Sequence, residues 1–127
     1  MSWEVEVTDE FIDWWHELTE RQQEAITARV RLLQERGPSL GRPSVDGIKQ
    51  SRHQNMKELR ASQEGALRVL FAFDPRSAAI LLIGGNKAPD GSSPIWNDWY
   101  SEFVPIADDL YDEHLRLLQE EGTADGR

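Results

Sequence analysis

Two neighbouring apolar runs limit the fold more than any other feature of the chain. Leu67 to Phe73 and Ala78 to Ile83 are apolar at their centres on both alternating faces, and Asp74-Pro75 supplies a turn between them. A strand that is apolar on both faces must be covered on both sides. The runs therefore read as a hairpin in the middle of a sheet. Other elements of the same chain must lie above and below it.

The remaining elements follow from periodicity. Trp3-Glu4-Val5-Glu6-Val7 alternates apolar with acidic, the pattern of a half-exposed strand. Thr8 and Asp9 suit an N-cap, and Phe11, Ile12, Trp15 and Leu18 recur at helical spacing. Thr19 with Gln22 matches a capping box, after which Ile26, Val30 and Leu33 trace a stripe that Gly37-Pro38 ends. The Gly-, Pro- and Ser-rich segment from Gly37 to Gly47 reads as a loop, and Lys57 to Arg60 as a strand entering the sheet. Gly84-Gly85-Asn86 reads as a turn closing the second apolar run, and Lys87 to Asp98 as a polar loop. A last helix is expected from about Pro105 to Glu121. The order is strand, two helices, loop, three-stranded meander and helix, an α+β chain. Residues 1–121 are expected to form one domain, and 122–127 a flexible tail.

Composition enters through what it excludes. With 127 residues there is room for one modest core, and with no Cys there is no disulfide or thiolate site. The longest apolar stretch, Ala78 to Ile83, is too short to span a membrane, so no membrane association is expected and the setting is taken as cytoplasmic. His16, His53 and His114 show no zinc spacing, so neither a metal nor another cofactor is expected. Asp108, Asp109, Asp112 and Glu113 read as a solvated helix face.

The formal charge of -9 speaks against a polyanionic partner until it is divided. Residues 1–35 carry three basic and nine acidic side chains, and residues 77–127 carry three and ten. Residues 36–76 carry eight basic and four acidic, net +4. Positive charge is thus gathered in the middle third, as one face or groove flanked by acidic helices.

Within that third, Ser51-Arg52-His53-Gln54-Asn55-Met56-Lys57-Glu58-Leu59-Arg60 is followed by Arg68 on the next strand. Strand alternation sends Lys57 and Leu59 one way and Glu58 and Arg60 the other, while the register of Arg68 stays open. Cleavage of RNA through its own 2′-hydroxyl needs a proton acceptor, a donor for the 5′ oxygen and positive charge at the phosphate. Arg offers a bidentate fork, Lys a compact charge, and His a group that titrates near neutrality. Trp96, Trp99 and Tyr100 in the polar segment could stack a base or cover the end of the sheet.

Several segments occur in an order that resembles the HigB-like, phage-Gp49-related branch of the RelE/ParE toxin superfamily. They are Leu40-Gly41-Arg42-Pro43, the Ser51–Arg60 run, Arg68-Val69-Leu70-Phe71-Ala72-Phe73-Asp74-Pro75 and Leu82-Ile83-Gly84-Gly85-Asn86-Lys87. The resemblance covers roughly residues 3–118. It implies a RelE-like fold, with an N-terminal helical hairpin packed on a mostly antiparallel twisted sheet and a C-terminal helix. It also implies the toxin of a type II toxin–antitoxin system that inhibits translation as a metal-independent, ribosome-dependent mRNA endoribonuclease. The implied partners are a helix-turn-helix antitoxin and the ribosome with bound mRNA, with operator DNA reached only through the antitoxin. The alternative is a non-nuclease toxin or binding module that acts on gyrase or only on its antitoxin.

Carried onto this chain, the resemblance gives Lys57, Arg60, Arg68 and His53 as catalytic candidates. Arg52, Lys87, Tyr100 and Trp99 are the substrate-binding candidates. Two departures stand out. A catalytic Tyr, His or Asp near the C-terminus has no firm positional match, Tyr100 being nearest after an inserted-looking Gly91-Ser92-Ser93 loop. The total charge is also acidic where RNA-directed toxins tend to be basic.

Overall fold

The computed structural model describes residues 2–88 and 98–124. A strand β1 (Val5–Val7) leads into α1 (Asp9–Glu17) and α2 (Glu20–Arg36), then a single 3₁₀ turn at Gly37–Ser39. Strands β2 (Val45–Gly47), β3 (Lys57–Ser62), β4 (Ala66–Phe73) and β5 (Ala79–Asn86) follow, and α3 (Asp98–Ala124) comes last. The sheet order is β1-β5-β4-β3-β2, with β1 parallel to β5 and the other pairs antiparallel.

The helix starts are set by side chains that satisfy orphan amides. Thr8 accepts from the Phe11 amide at 3.0 Å, and acidic Asp9 and Glu10 occupy the first turn of α1. Thr19 and Gln22 form both halves of the expected capping box. At the end of α2, Gly37 takes φ 58°, and a Cβ there would lie 2.3 Å from the Trp3 ring. Glycine is required by the backbone and by the packed indole alike.

The apolar hairpin β4–β5 lies inside the sheet, covered on both faces as its composition predicts. On one side Phe11, Ile26 and Leu33 of α1 and α2 pack against Leu59, Leu67, Val69, Phe71 and Leu81. On the other, Val104, Ala107 and Tyr111 of α3 pack against Met56, Leu70, Ala72, Ile80 and Leu82. Alternating residues of the same strands supply the two cores. Burial of this kind contributes roughly 25 cal/mol per Å² of apolar surface.

Four expectations need correction. The segment from Gly37 to Gly47 is not all loop: Val45–Gly47 pairs with Lys57–Leu59 as an edge strand too short to carry an alternation signal. Helix α3 starts at Asp98, well before Pro105. Pro105 is exposed within the helix, so its ring meets water and not the core. The same helix runs on to Ala124 through Gly122, while residues 125–127 lie outside the described residues, as do Trp96 and the 91–93 loop.

The Gly84-Gly85-Asn86 turn is instead the end of β5. A Cβ on Gly84 would stand 2.2 Å from the Trp14 ring, and one on Gly85 2.5 Å from Trp99 Nε1. Adjacent strand residues face opposite sides, so the two glycines admit one indole from each helical layer. Gly84→Ala should therefore displace Trp14 and lower stability by about 1–3 kcal/mol. Urea denaturation followed by Trp fluorescence measures this, and an unchanged midpoint would contradict the packing.

Candidate functional site

The site grows from the parity and register of β3. Leu59 and Ala61 face the α1–α2 layer, and Lys57, of the same parity and paired with Phe71, belongs to that side. Glu58 and Arg60 face the α3 layer. The β3–β4 register places Arg60 directly opposite Arg68. Two like charges in that position repel, and Glu58 offsets them. Its Oε1 is 3.1 Å from Arg68 Nε and 3.9 Å from Arg60 Nε. Both Nε atoms are buried, Arg68 Nε out of line and Arg60 Nε too far for a hydrogen bond, so charge rather than hydrogen bonding holds these contacts. The Glu58 and Arg68 side chains are 6% and 12% exposed, against 32% for Arg60. Arg68 is the floor of the cluster and Arg60 part of its rim.

Helix α3 and the residue after β5 complete the cluster. Tyr100 Oη donates to Glu58 Oε1 at 2.8 Å, and Lys87 Nζ donates to Tyr100 Oη at 3.0 Å. The ammonium also lies 4.5 Å from the centre of the Tyr100 ring. Trp99 lies over Gly85, the residue paired with Arg68, and stacks on Phe103 with ring centres 4.7 Å apart. Trp99 and Tyr100 are thus helical and half-buried, and not exposed loop residues.

Burial pushes the Tyr100 phenol up to about 12, with the Glu58 hydrogen bond and charge adding to the effect. Tyr100 is therefore a proton donor throughout the neutral range. Burial, followed by Arg68, pulls the Lys87 ammonium below its ordinary value, while Glu58 opposes the shift. If the Lys87 charge assists anion binding, affinity should fall as pH rises through this lowered value, before an ordinary lysine would titrate. Lys87→Arg should extend binding to higher pH, because Arg stays charged. Anisotropy of a labelled RNA across the alkaline range checks this, and identical profiles would remove Lys87 from the interface.

His53 and Arg52 are placed elsewhere. His53 Nε2 is 2.7 Å from Asp112 Oδ1, and Arg52 pairs with Asp112, with Asp109 at 2.9 Å and with Asp108 at 3.7 Å. Asp112 lies three turns beyond Tyr100, about 18 Å along the axis of α3. The structure therefore brings together Arg60, Arg68, Lys87, Tyr100 and Trp99, but not Lys57, His53 or Arg52. Asp108 departs from the expected solvated face: it is buried and accepts from Ser51 Oγ and the Arg52 amide. These acids latch the loop before β3 onto α3. The sequence does not single out Glu58, although it shares the parity of Arg60 and lies between Lys57 and Arg60. Among the described residues no group of three or more His, Cys, Asp or Glu could hold a metal ion.

Residues 13–112 match the family described as phage derived protein Gp49-like (DUF891). The chain belongs to this Gp49-like family. Among its relatives, the HigB2 toxin of Mycobacterium tuberculosis is 39% identical over 122 residues, covering 94% of this chain and 58% of the relative. The HigB3 toxin of the same organism is 44% identical over 95 residues, covering 75% of this chain and 78% of the relative. The chain thus spans less than two thirds of the length of the first relative. These similarities place it among the HigB-like members of that family.

Solved structures agree on the fold. A mutant E. coli toxin RelE in the free state aligns with a TM-score of 0.57 at 12% identity, covering 83% of this chain and 97% of that one. RelE in the archaeal RelE–RelB complex from Pyrococcus horikoshii aligns with a TM-score of 0.51 at 15% identity, covering 72% and 100%. The Gp49-like chain therefore has a RelE-like α+β fold. Among its described residues no helix is long and apolar enough to cross a membrane.

Proposed function

We propose that this chain is the toxin of a type II toxin–antitoxin system and cleaves messenger RNA presented by the ribosome. The observation that carries the reading is the direct opposition of Arg60 and Arg68 beneath α3, with Lys87 and Tyr100 converging on the same side. Like charges are brought face to face and half-buried there, an arrangement that costs stability and suits an anion. The relatives named as HigB toxins supply the class of biology, and the cluster supplies the chemistry.

In this reading the 2′-hydroxyl oxygen of the message attacks the adjacent phosphorus as its proton passes to a non-bridging phosphoryl oxygen, and the bond to the 5′ oxygen breaks. A cyclic phosphate and a free 5′-hydroxyl result, and no water or metal ion enters the step. Arg60 and Arg68 stabilise the charge that accumulates on the phosphoryl oxygens. Lys87 holds the backbone at the rim, and Tyr100 is placed to give a proton to the departing 5′ oxygen. Trp99 covers the end of the cluster. Lys57 and His53 have no position in this arrangement from which to transfer a proton.

The acidic surroundings weigh against tight binding to free RNA, because few phosphate contacts are available to displace counterions. A ribosome that delivers an oriented message removes much of that requirement. The proposed partners are accordingly the translating ribosome and a helix-turn-helix antitoxin that covers the basic cluster, operator DNA being met through the antitoxin alone. Controlled induction followed by primer-extension mapping of 5′ ends tests the reading. New ends within translated regions that vanish when translation is blocked support it. Intact messages accompanied by replication arrest would replace it with a gyrase-directed toxin.

A further inference from the structure

Glu58 is the least expected member of the cluster. A carboxylate repels the phosphate that Arg60 and Arg68 would attract, and burying one is costly unless it is paired. Yet the Glu58 side chain is 6% exposed, and a single oxygen, Oε1, meets three groups from three elements. Arg68 Nε of β4 lies at 3.1 Å, Arg60 Nε of its own strand at 3.9 Å and the Tyr100 hydroxyl of α3 at 2.8 Å. The Tyr100 oxygen in turn receives Lys87. Every polar group assigned to the site is thus connected to Glu58 directly or through one atom.

We infer that Glu58 is the positioning residue of this site, fixing the Arg68 guanidinium and the Tyr100 hydroxyl relative to one another. The inference rests on the nuclease reading for its catalytic consequence, but not for the contacts themselves. Without Glu58, Arg60 and Arg68 stand opposed with nothing to offset their repulsion, and the guanidiniums separate. The first turn of α3 also loses its polar tie to the sheet. The acid therefore lowers the site's attraction for phosphate while setting the geometry that transition-state stabilisation needs. A residue of this kind affects turnover and affinity in opposite directions.

Glu58→Gln tests this, since it preserves size and an acceptor for Tyr100 and removes the charge. In a purified translation mixture, message cleavage at saturation should fall at least about tenfold. Affinity for a labelled RNA at low salt should be unchanged or tighter, and circular dichroism should show the wild-type fold. Parallel losses of affinity and rate, or a wild-type rate, would overturn the inference. The contacts are tested separately by thermal melting of Glu58→Ala, which removes the acceptor, Tyr100→Phe and the double variant. Non-additive shifts are expected for groups sharing a hydrogen bond, and additive shifts would refute the tie. If the wild-type protein leaves messages intact, the nuclease reading fails on its own. The melting cycle still decides whether Glu58 positions Tyr100.

Discussion

Arg68→Ala should reduce message cleavage by about 10²–10³-fold, the usual cost of removing a charge contact made to a transition state. Its side chain is 12% exposed against 32% for Arg60, so little water can replace it. On its β5 side Arg68 has only Gly85 and the Trp99 indole, so any compensation is left to Arg60 and Lys87 nearer the rim. Growth after induction should recover in the same variant. Arg68→Lys keeps a charge to balance Glu58 but loses the planar fork, and should fall between the two. Removing Arg68 leaves the Glu58 charge paired only with Arg60 at 3.9 Å beside its Tyr100 hydrogen bond, so the variant should also melt at a lower temperature. Rates must be compared where both proteins remain folded. Lys57→Ala, on the opposite face, should lose much less. Wild-type cleavage by Arg68→Ala, or an equal loss from Lys57→Ala, would move the site off this face of the sheet.

The parity of the site was legible in the sequence and its register was not. Alternation alone separates Lys57 from Arg60. It cannot say that Arg60 meets Arg68, because that depends on the turn between β3 and β4. The turn holds Glu64 at φ 53° and Gly65 at φ 134°, and a Cβ on Gly65 would stand 2.3 Å from the Asn86 side chain. Asn86 accepts from the Ala66 amide and donates to the Glu64 carbonyl, locking that turn from the far end of β5. Register was set by a contact between residues 22 apart, which no local pattern carries.

Long-range packing also explains the misread boundaries. Gly84-Gly85 has the composition of a turn, and only the indoles of Trp14 and Trp99 show why strand residues there lack side chains. Pro105 resembles a helix start, but Val104 and Ala107 bury one side of α3 while the proline faces water. The net +4 segment proved divisible in the same manner. Arg42 is paired with Asp46, Arg52 with the acids of α3, and Arg76 with Asp74 and Glu6. What remains beside Glu58 is Arg60 and Arg68, joined by Lys87 from outside the segment. Net charge located the region, ion pairing set aside three of its eight cations, and strand parity and register brought Arg60 and Arg68 together.

The second large effect concerns stability, at the far end of the same hairpin. Asp74 has a side chain with no solvent exposure. Its carboxylate accepts from the Arg76 amide at 2.8 Å, the Ala78 amide at 3.1 Å and the Arg76 guanidinium at 2.6 Å, and it lies 2.9 Å from His114 Nε2. Arg76 reaches on to Glu6 at 3.0 Å. One carboxylate thus closes the β4–β5 turn and ties both β1 and α3 to it. Asp74→Ala should cost about 3–5 kcal/mol, because it leaves the Arg76 and Ala78 amides and His114 without their acceptor. Burial pushes this carboxyl up, but hydrogen bonds from His114, Arg76 and Ala78 outweigh it and leave the group below its ordinary value. A lowered carboxylate contributes fully above its unfolded value and loses that contribution as pH falls through its folded one. Asp74→Asn, which cannot ionise, should therefore lie furthest below wild type at neutral pH, the gap narrowing on acidification. Urea midpoints at several pH values measure both effects. A gap that stayed constant into acid would show that the Asp74 charge does not contribute to holding this turn.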